Sequence, residues 1–219
     1  MRIRNALAGT LDVETFLLAR AKIAPRSAAL ELAVRRRGEE LRRLFPAPAA
    51  ASGVLADARE LYRRVGIDPT RRRPSSEALT RRMIQGKGLY AVNTAVDAAN
   101  LTCLHHFLPV GLYDADRIQA ASGLLKLRLG VQGEEYPGIG KGTIHLEGRP
   151  ALFDDAGPFG NPSADSFRTR VTRETTRLLF VLFCPGERHA DWRRARLAIC
   201  KELMPLYAGG RVLDLSAPD

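Results

Sequence analysis

The chain has 219 residues, room for one large domain or a domain with an extension, and its 45% hydrophobic content is that of a globular protein. No stretch approaches the ~18 apolar residues of a membrane span, and Asp12 and Glu14 interrupt the apolar core that a signal peptide needs. The net charge of +10, with a pI near 10.1, favours a polyanionic partner.

Taken in chain order, Leu11 to Leu44 reads as helical, with Leu11, Phe16, Leu30, Leu32, Leu41 and Leu44 among charged positions. Pro46–Gly53 is proline- and alanine-rich and reads as a linker. Ala56–Val65 reads as a helix stopped by Gly66 at the C′ position. Asp68–Pro74 is a basic turn, and Pro74-Ser75-Ser76-Glu77 opens a helix with a serine cap and an early acid. After Gly86-Lys87-Gly88 comes a long helix that stops before Pro109. Val92, Val96, Ala99 and Cys103 follow the spacing of a buried stripe, while Asn93, Asp97 and Asn100 run along its edge. Those short polar groups either pin the loop Pro109–Asp114 or line a pocket.

Beyond Pro109 the character changes. Leu125, Leu127 and Leu129 alternate with Lys126 and Arg128, the period of a half-buried strand. Thr143–Glu147 and Ala151–Phe153 read as short strands, and Arg177–Cys184 as a strand buried on both faces. Asp191–Tyr207 closes the chain as an amphipathic helix, with Asp191 as its cap and Gly209 as its stop. Helices first, strands in the middle and a helix at the end predict an α+β fold.

The chemistry is thinly signalled. Cys103, Cys184 and Cys200 are widely spaced among apolar residues and read as buried free thiols in a reducing compartment, which places the chain in the cytoplasm. Gly138-Ile139-Gly140-Lys141-Gly142 lacks the ending of a phosphate loop and leads into a strand, so it reads as a hairpin. His105 and His106 are adjacent on a helix and diverge by about 100°, which suits a helix-end interaction better than shared ligation of a metal. Glu134–Glu135 and Asp154–Asp155 read as solvated acid pairs. Asp165–Thr175 is dense in hydroxyls and arginines, and fits either a self-satisfied turn or a cleft wall. Arginines cluster at 35–37, 42–43, 63–64, 71–73, 81–82 and 193–194. Their planar forks suit phosphate, although a GC-rich genome writes the same composition onto any solvated helix.

Several separate motifs then occur in one order: Asn93-x-x-Val96-Asp97-x-x-Asn100, Pro109–Asp114, Leu127-Arg128 and Gly133-Glu134. They resemble the B3/B4 domain of the phenylalanyl-tRNA synthetase beta subunit. Arg59, Ser76–Leu79 with Arg81-Arg82, and the pattern Asp165-Ser166-x-Arg168-Thr169-x-x-Thr172-x-x-Thr175 resemble freestanding members of that family. The resemblance covers roughly residues 55–185. It implies a β-rich, barrel-like core with flanking helices and an editing pocket that hydrolyses tyrosine wrongly attached to the phenylalanine tRNA. The chain departs from the synthetase pattern at two places. Gly111 stands where the editing histidine is found, and Val181 stands near the acid that recognises the tyrosine hydroxyl. The glycine-rich wall of the family survives in part as Ala156-Gly157-Pro158-Phe159-Gly160.

With that resemblance, residues 1–50 are expected to form a helical N-terminal extension and residues 51–219 a B3/B4-like domain. Asn93, Asp97, Asn100, Asp114, Glu134, Gly157, Gly160, Ser166, Arg168 and Thr172 are expected to bind substrate. Arg71, Arg72, Arg73, Arg81 and Arg82 are expected to hold RNA phosphates. No catalytic residue is assigned, and neither a metal nor another cofactor is expected. The expected partner is tRNA or aminoacyl-tRNA, not a membrane, with hydrolysis of mischarged tRNA in trans as the enzymatic form. The alternatives are a non-catalytic tRNA- or amino-acid-binding module, and a small-molecule enzyme on the same fold.

Overall fold

The computed structural model describes residues 1–140 and 142–215. Lys141, inside the expected 138–142 hairpin, and residues 216–219 of the expected second domain lie outside the described residues. The chain begins with two strands, β1 (Arg2–Asn5) and β2 (Leu11–Ala19), followed by four helices: α1 (Ala28–Leu44), α2 (Ala56–Arg64), α3 (Ser75–Ile84) and α4 (Thr94–His106). Eight strands come next: β3 (Val110–Asp114), β4 (Leu124–Leu129), β5 (Glu135–Pro137), β6 (Thr143–His145), β7 (Pro150–Asp154), β8 (Gly157–Asn161), β9 (Ala164–Asp165) and β10 (Arg177–Pro185). Helix α5 (Ala190–Ala208) and strand β11 (Arg211–Asp214) complete the described chain.

The strands form a four-stranded sheet ordered β11-β2-β10-β3, a five-stranded sheet ordered β1-β4-β7-β8-β9, and the small hairpin β5-β6. The four-stranded sheet is the middle layer of three. Strand β10 sends Leu178, Phe180, Leu182 and Cys184 into a core shared with α1, α3, α4 and α5. Its alternate residues, Leu179, Val181 and Phe183, enter a second core against Leu125 and Leu127 of β4, Leu152 of β7 and Phe159 of β8. This is the two-sided burial that the apolar run 177–184 predicts. Phe16 and Phe180 face each other across β2 and β10 and stack with centroids 4.9 Å apart. Each fully buried side chain of this size contributes about 1.5–3 kcal/mol by its removal from water.

The fold is α+β as expected, with two corrections. The sheets stack face to face, and none closes into a barrel among the described residues. Residues 1–50 are also not a helical extension: β1 pairs with β4, and β2 lies between β10 and β11 in the middle sheet. The helical expectation over Leu11–Leu44 fails because Leu11–Ala19 carries a strand's alternation, whose polar members are masked as solvated helix charges. Asp12 and Glu14 are held by Arg193 of α5, each at 2.9 Å. Only Ala28–Leu44 is helical, opened by Ser27, whose hydroxyl accepts from the Leu30 amide. The expected linker is packed, with Pro48–Ser52 forming a 3-10 turn and Ala51 fully buried.

Candidate functional site

Gly111 and Val181 are Cα partners across β3 and β10. The two positions at which the chain departs from the synthetase pattern are therefore neighbours in space, and both are buried. Tyr113 lies two residues beyond Gly111 on the same face of β3. A Cβ added at Gly111 would stand 2.1 Å from the Tyr113 Oη, and one added at Gly160 of β8 would stand 2.3 Å from the same atom. Neither glycine has a left-handed φ, so what the site requires there is space and not backbone freedom. The ring of Tyr113 fills the gap between the two strands, edge-on to Phe159 at 5.0 Å. Burial, reinforced by the Asp165 carboxylate, raises the phenol well above its usual pKa, so the plug is a neutral ring.

The expected substrate-binding residues fall into three places. Asn93 caps α4, its Oδ1 accepting from the amides of Ala95 and Val96 at 3.1 and 3.0 Å. Asp97 accepts from the Val92 amide at 3.0 Å and lines a cavity of about 360 Å³ together with Leu30, Val34, Met83 and Leu89. Burial raises the Asp97 pKa, opposed by the Val92 amide and by Arg26. Asn100 is half-buried further along the helix and makes no side-chain hydrogen bond among the described residues.

A second group gathers on the segment 165–175. Asp114 accepts from the Thr175 hydroxyl at 2.7 Å, and the Asp114 amide donates to the Thr169 carbonyl at 2.9 Å. The Thr172 amide donates to the Thr175 hydroxyl, and the Ser166 hydroxyl accepts from the Arg168 amide. Arg168 grips Asp154 with two 2.9 Å bonds, and the Asp154 side chain is fully buried. The expectation that Asp154 is solvated is thereby corrected. Gly157, with φ +114°, opens β8 opposite Asp154 of β7. Glu134 is separate from both groups, held by Arg128 at 2.6 and 2.8 Å and by the Val131 amide.

The expected phosphate-binding arginines also divide. Glu77 is fully buried at the start of α3, and three arginines surround it. Arg59 makes two bonds of 2.7 and 2.8 Å, Arg81 one of 2.7 Å, and Arg73 approaches to 3.6 Å. Burial pushes the Glu77 pKa up, but the bonds from Arg59 and Arg81 outweigh it and hold the carboxyl below its usual value. Arg82 is spent on the Gly88 and Lys87 carbonyls and lies over the Tyr90 ring at 3.9 Å. Arg71 is 88% exposed, with Asp68 at 3.8 Å.

Arg72 and Arg73 instead border a cavity of about 300 Å³ that Arg149, at the head of β7, also lines. Among the described residues neither Arg72 nor Arg149 has an ion-pair partner, and burial together with the Arg72 charge depresses the Arg149 pKa. Sequence reasoning does not find Arg149, because it is joined to the basic turn only by the packing of the β6–β9 region against the 66–74 loop. His106 is also not the charged helix-end group expected. Its Nδ1 accepts from the Leu108 amide at 3.1 Å, and burial drives its pKa down to about 3. Cys103, Cys184 and Cys200 are free and buried, as expected. No helix among the described residues is long and apolar enough to cross a membrane.

A helical layer on a twice-covered sheet, closed by a second open sheet, defines an α+β domain. The B3/4 domain model matches residues 57–191, more than half of the chain, and the chain belongs to the B3/4 domain family. The fold is similar to a crystal structure of an N-terminal fragment of the phenylalanyl-tRNA synthetase beta-subunit from Pyrococcus horikoshii, at 13% identity and a TM-score of 0.50. That similarity takes in 100% of this chain and 55% of the other, so the chain spans about half of the fragment's length. No curated protein matches the chain.

Proposed function

We propose that this chain binds tRNA in its aminoacylated form, without hydrolysing tyrosyl ester at the Gly111–Val181 position. The Tyr113 plug carries this reading: a side chain of the protein itself occupies the space beside the two substituted positions, and neither Gly111 nor Val181 supplies a polar side chain. With the protein's own phenol in that space, Gly111 and Val181 offer a substrate's hydroxylated ring no hydrogen bond by which to prefer it. Support for the RNA itself comes from the +10 charge and from the exposed arginines of the 71–73 turn. Asn93, Asp97 and Asn100 on α4, and separately Asp114, Ser166, Arg168 and Thr172 about the 165–175 segment, would each contact the aminoacyl-tRNA at its own place.

The test is filter binding of charged and uncharged tRNA over a salt series, beside deacylation of a panel of misacylated tRNAs. The expected result is affinity that falls with salt, weakens in Arg71→Glu, and comes without turnover above the no-protein rate. Salt-independent binding, or an Arg71→Glu protein that binds as tightly as wild type, would overturn the RNA reading. Tyrosyl-tRNA hydrolysis that disappears on substitution near Tyr113 would overturn the non-catalytic one.

A further inference from the structure

We propose that the cavity beside the 71–73 turn is a nucleotide site, taking a phosphate on Arg72, Arg73 and Arg149 and a planar base against Ile67, Ile144 and Pro150. Its volume of about 300 Å³ is at the lower end for small-molecule pockets, a fit for one nucleotide and not for a duplex. Among the described residues the positive charge there is answered only in part. Arg72 and Arg149 have no carboxylate partner among the described residues, and Arg73 is the loosest of the three arginines around Glu77, at 3.6 Å against 2.7 Å for Arg59 and Arg81. Two unpaired guanidinium groups that repel one another, one of them half-buried, are a costly arrangement for an empty protein and a favourable one for an anion. Burial and the neighbouring Arg72 charge both weigh against the charged form of Arg149, and an anion between them reverses the second effect.

The three apolar residues occupy the same pocket as the arginines, which distinguishes it from a bare basic patch. A phosphate alone would leave the exposed parts of Ile67 and Ile144 facing water, whereas a nucleotide fills both halves. The nucleotide has two sources, a free mononucleotide or an unpaired nucleotide of an RNA strand. Only the second rests on the tRNA reading above.

Calorimetric titration with the four ribonucleoside 5′-monophosphates and with inorganic phosphate tests the site. Mononucleotides are expected to bind, and inorganic phosphate more weakly. Arg149→Ala and, separately, Arg72→Ala are expected to weaken nucleotide binding by about tenfold, the loss of one charge-assisted bond. Lys126→Ala, exposed and outside the cavity, is expected to leave nucleotide binding unchanged. Thermal melts accompany each variant. Arg72 is exposed, so its variant keeps the test decisive if Arg149→Ala folds poorly. Nucleotides that fail to bind at millimolar concentration, inorganic phosphate that binds as well as they do, or a folded Arg72→Ala protein with wild-type affinity would each overturn the proposal. Displacement of bound tRNA by mononucleotide assigns the RNA source, and nucleotide binding without displacement assigns the free one. If tRNA does not bind but mononucleotides do, the tRNA reading fails and the nucleotide site stands.

Discussion

Gly111→Ala tests whether Tyr113 is a fixed plug. The new methyl would lie 2.1 Å from Oη, 2.6 Å from Cζ and 2.7 Å from Cε2 of Tyr113. The two carbon distances are nearly an ångström inside the roughly 3.5 Å at which carbon atoms rest against each other, and the oxygen is closer still. The ring has no room to retreat, since the Gly160 position is already 2.4 Å from Cε1 for any Cβ built there, and Phe159 stands against its edge. Over-packing of this kind costs about 1–3 kcal/mol, and partial expulsion of the ring would place the loss near 3 kcal/mol. For a chain of this length that lowers Tm by roughly 6–12 °C, at about 2–4 °C per kcal/mol. Tyr113→Ala alone should cost about 3–5 kcal/mol through the cavity it leaves. In the double variant the methyl meets empty space, so the combined loss should fall short of the sum by about 1–3 kcal/mol. Urea denaturation of the four proteins measures the cycle. A Gly111→Ala protein as stable as wild type, or two losses that simply add, would refute the plug.

Two further outcomes are expected. Glu77→Gln keeps the shape of the side chain but leaves Arg59 and Arg81 facing one another, and should destabilise by roughly 3 kcal/mol; a urea midpoint matching wild type would exclude an electrostatic role for Glu77. His106 is neutral when folded and protonates on unfolding, so its contribution is complete above its ordinary pKa of 6.5 and is lost as pH falls towards about 3, at about 1.4 kcal/mol per pH unit. His106→Gln should therefore lose less stability between pH 6.5 and 4 than wild type does, and equal slopes in melts over that range would count against it.

Much of the architecture is written in local pattern. The run Arg177–Cys184 announces a strand covered on both faces, and Gly66, with φ +74°, stops α2 where expected. Strand β2 is not legible because its charged alternates are neutralised by Arg193, far away in sequence. The serine cap expected for α3 gives way to Pro74 at that position, and the start of α5 is capped by His189 instead of Asp191. At the candidate site, the sequence marks Gly111 and Val181 as departures but cannot show that Tyr113 fills the gap they leave. Nor does it reveal that Arg59 and Glu77, part of one resemblance pattern, meet as a buried pair. Arg149 belongs to no motif, and only the tertiary packing brings it to the basic turn.

The position of β2 bears on how the chain is made. Both of its partners, β10 and β11, come from the far end of the sequence. During synthesis β2 leaves the ribosome long before either exists, and its two edges stay unpaired while the helices and the second sheet emerge. Such an edge is a template for wrong pairing. Asp12 and Glu14, which Arg193 later neutralises, put two charges on that strand during the wait, so residues that serve as ion-pair partners in the finished protein also guard the nascent one.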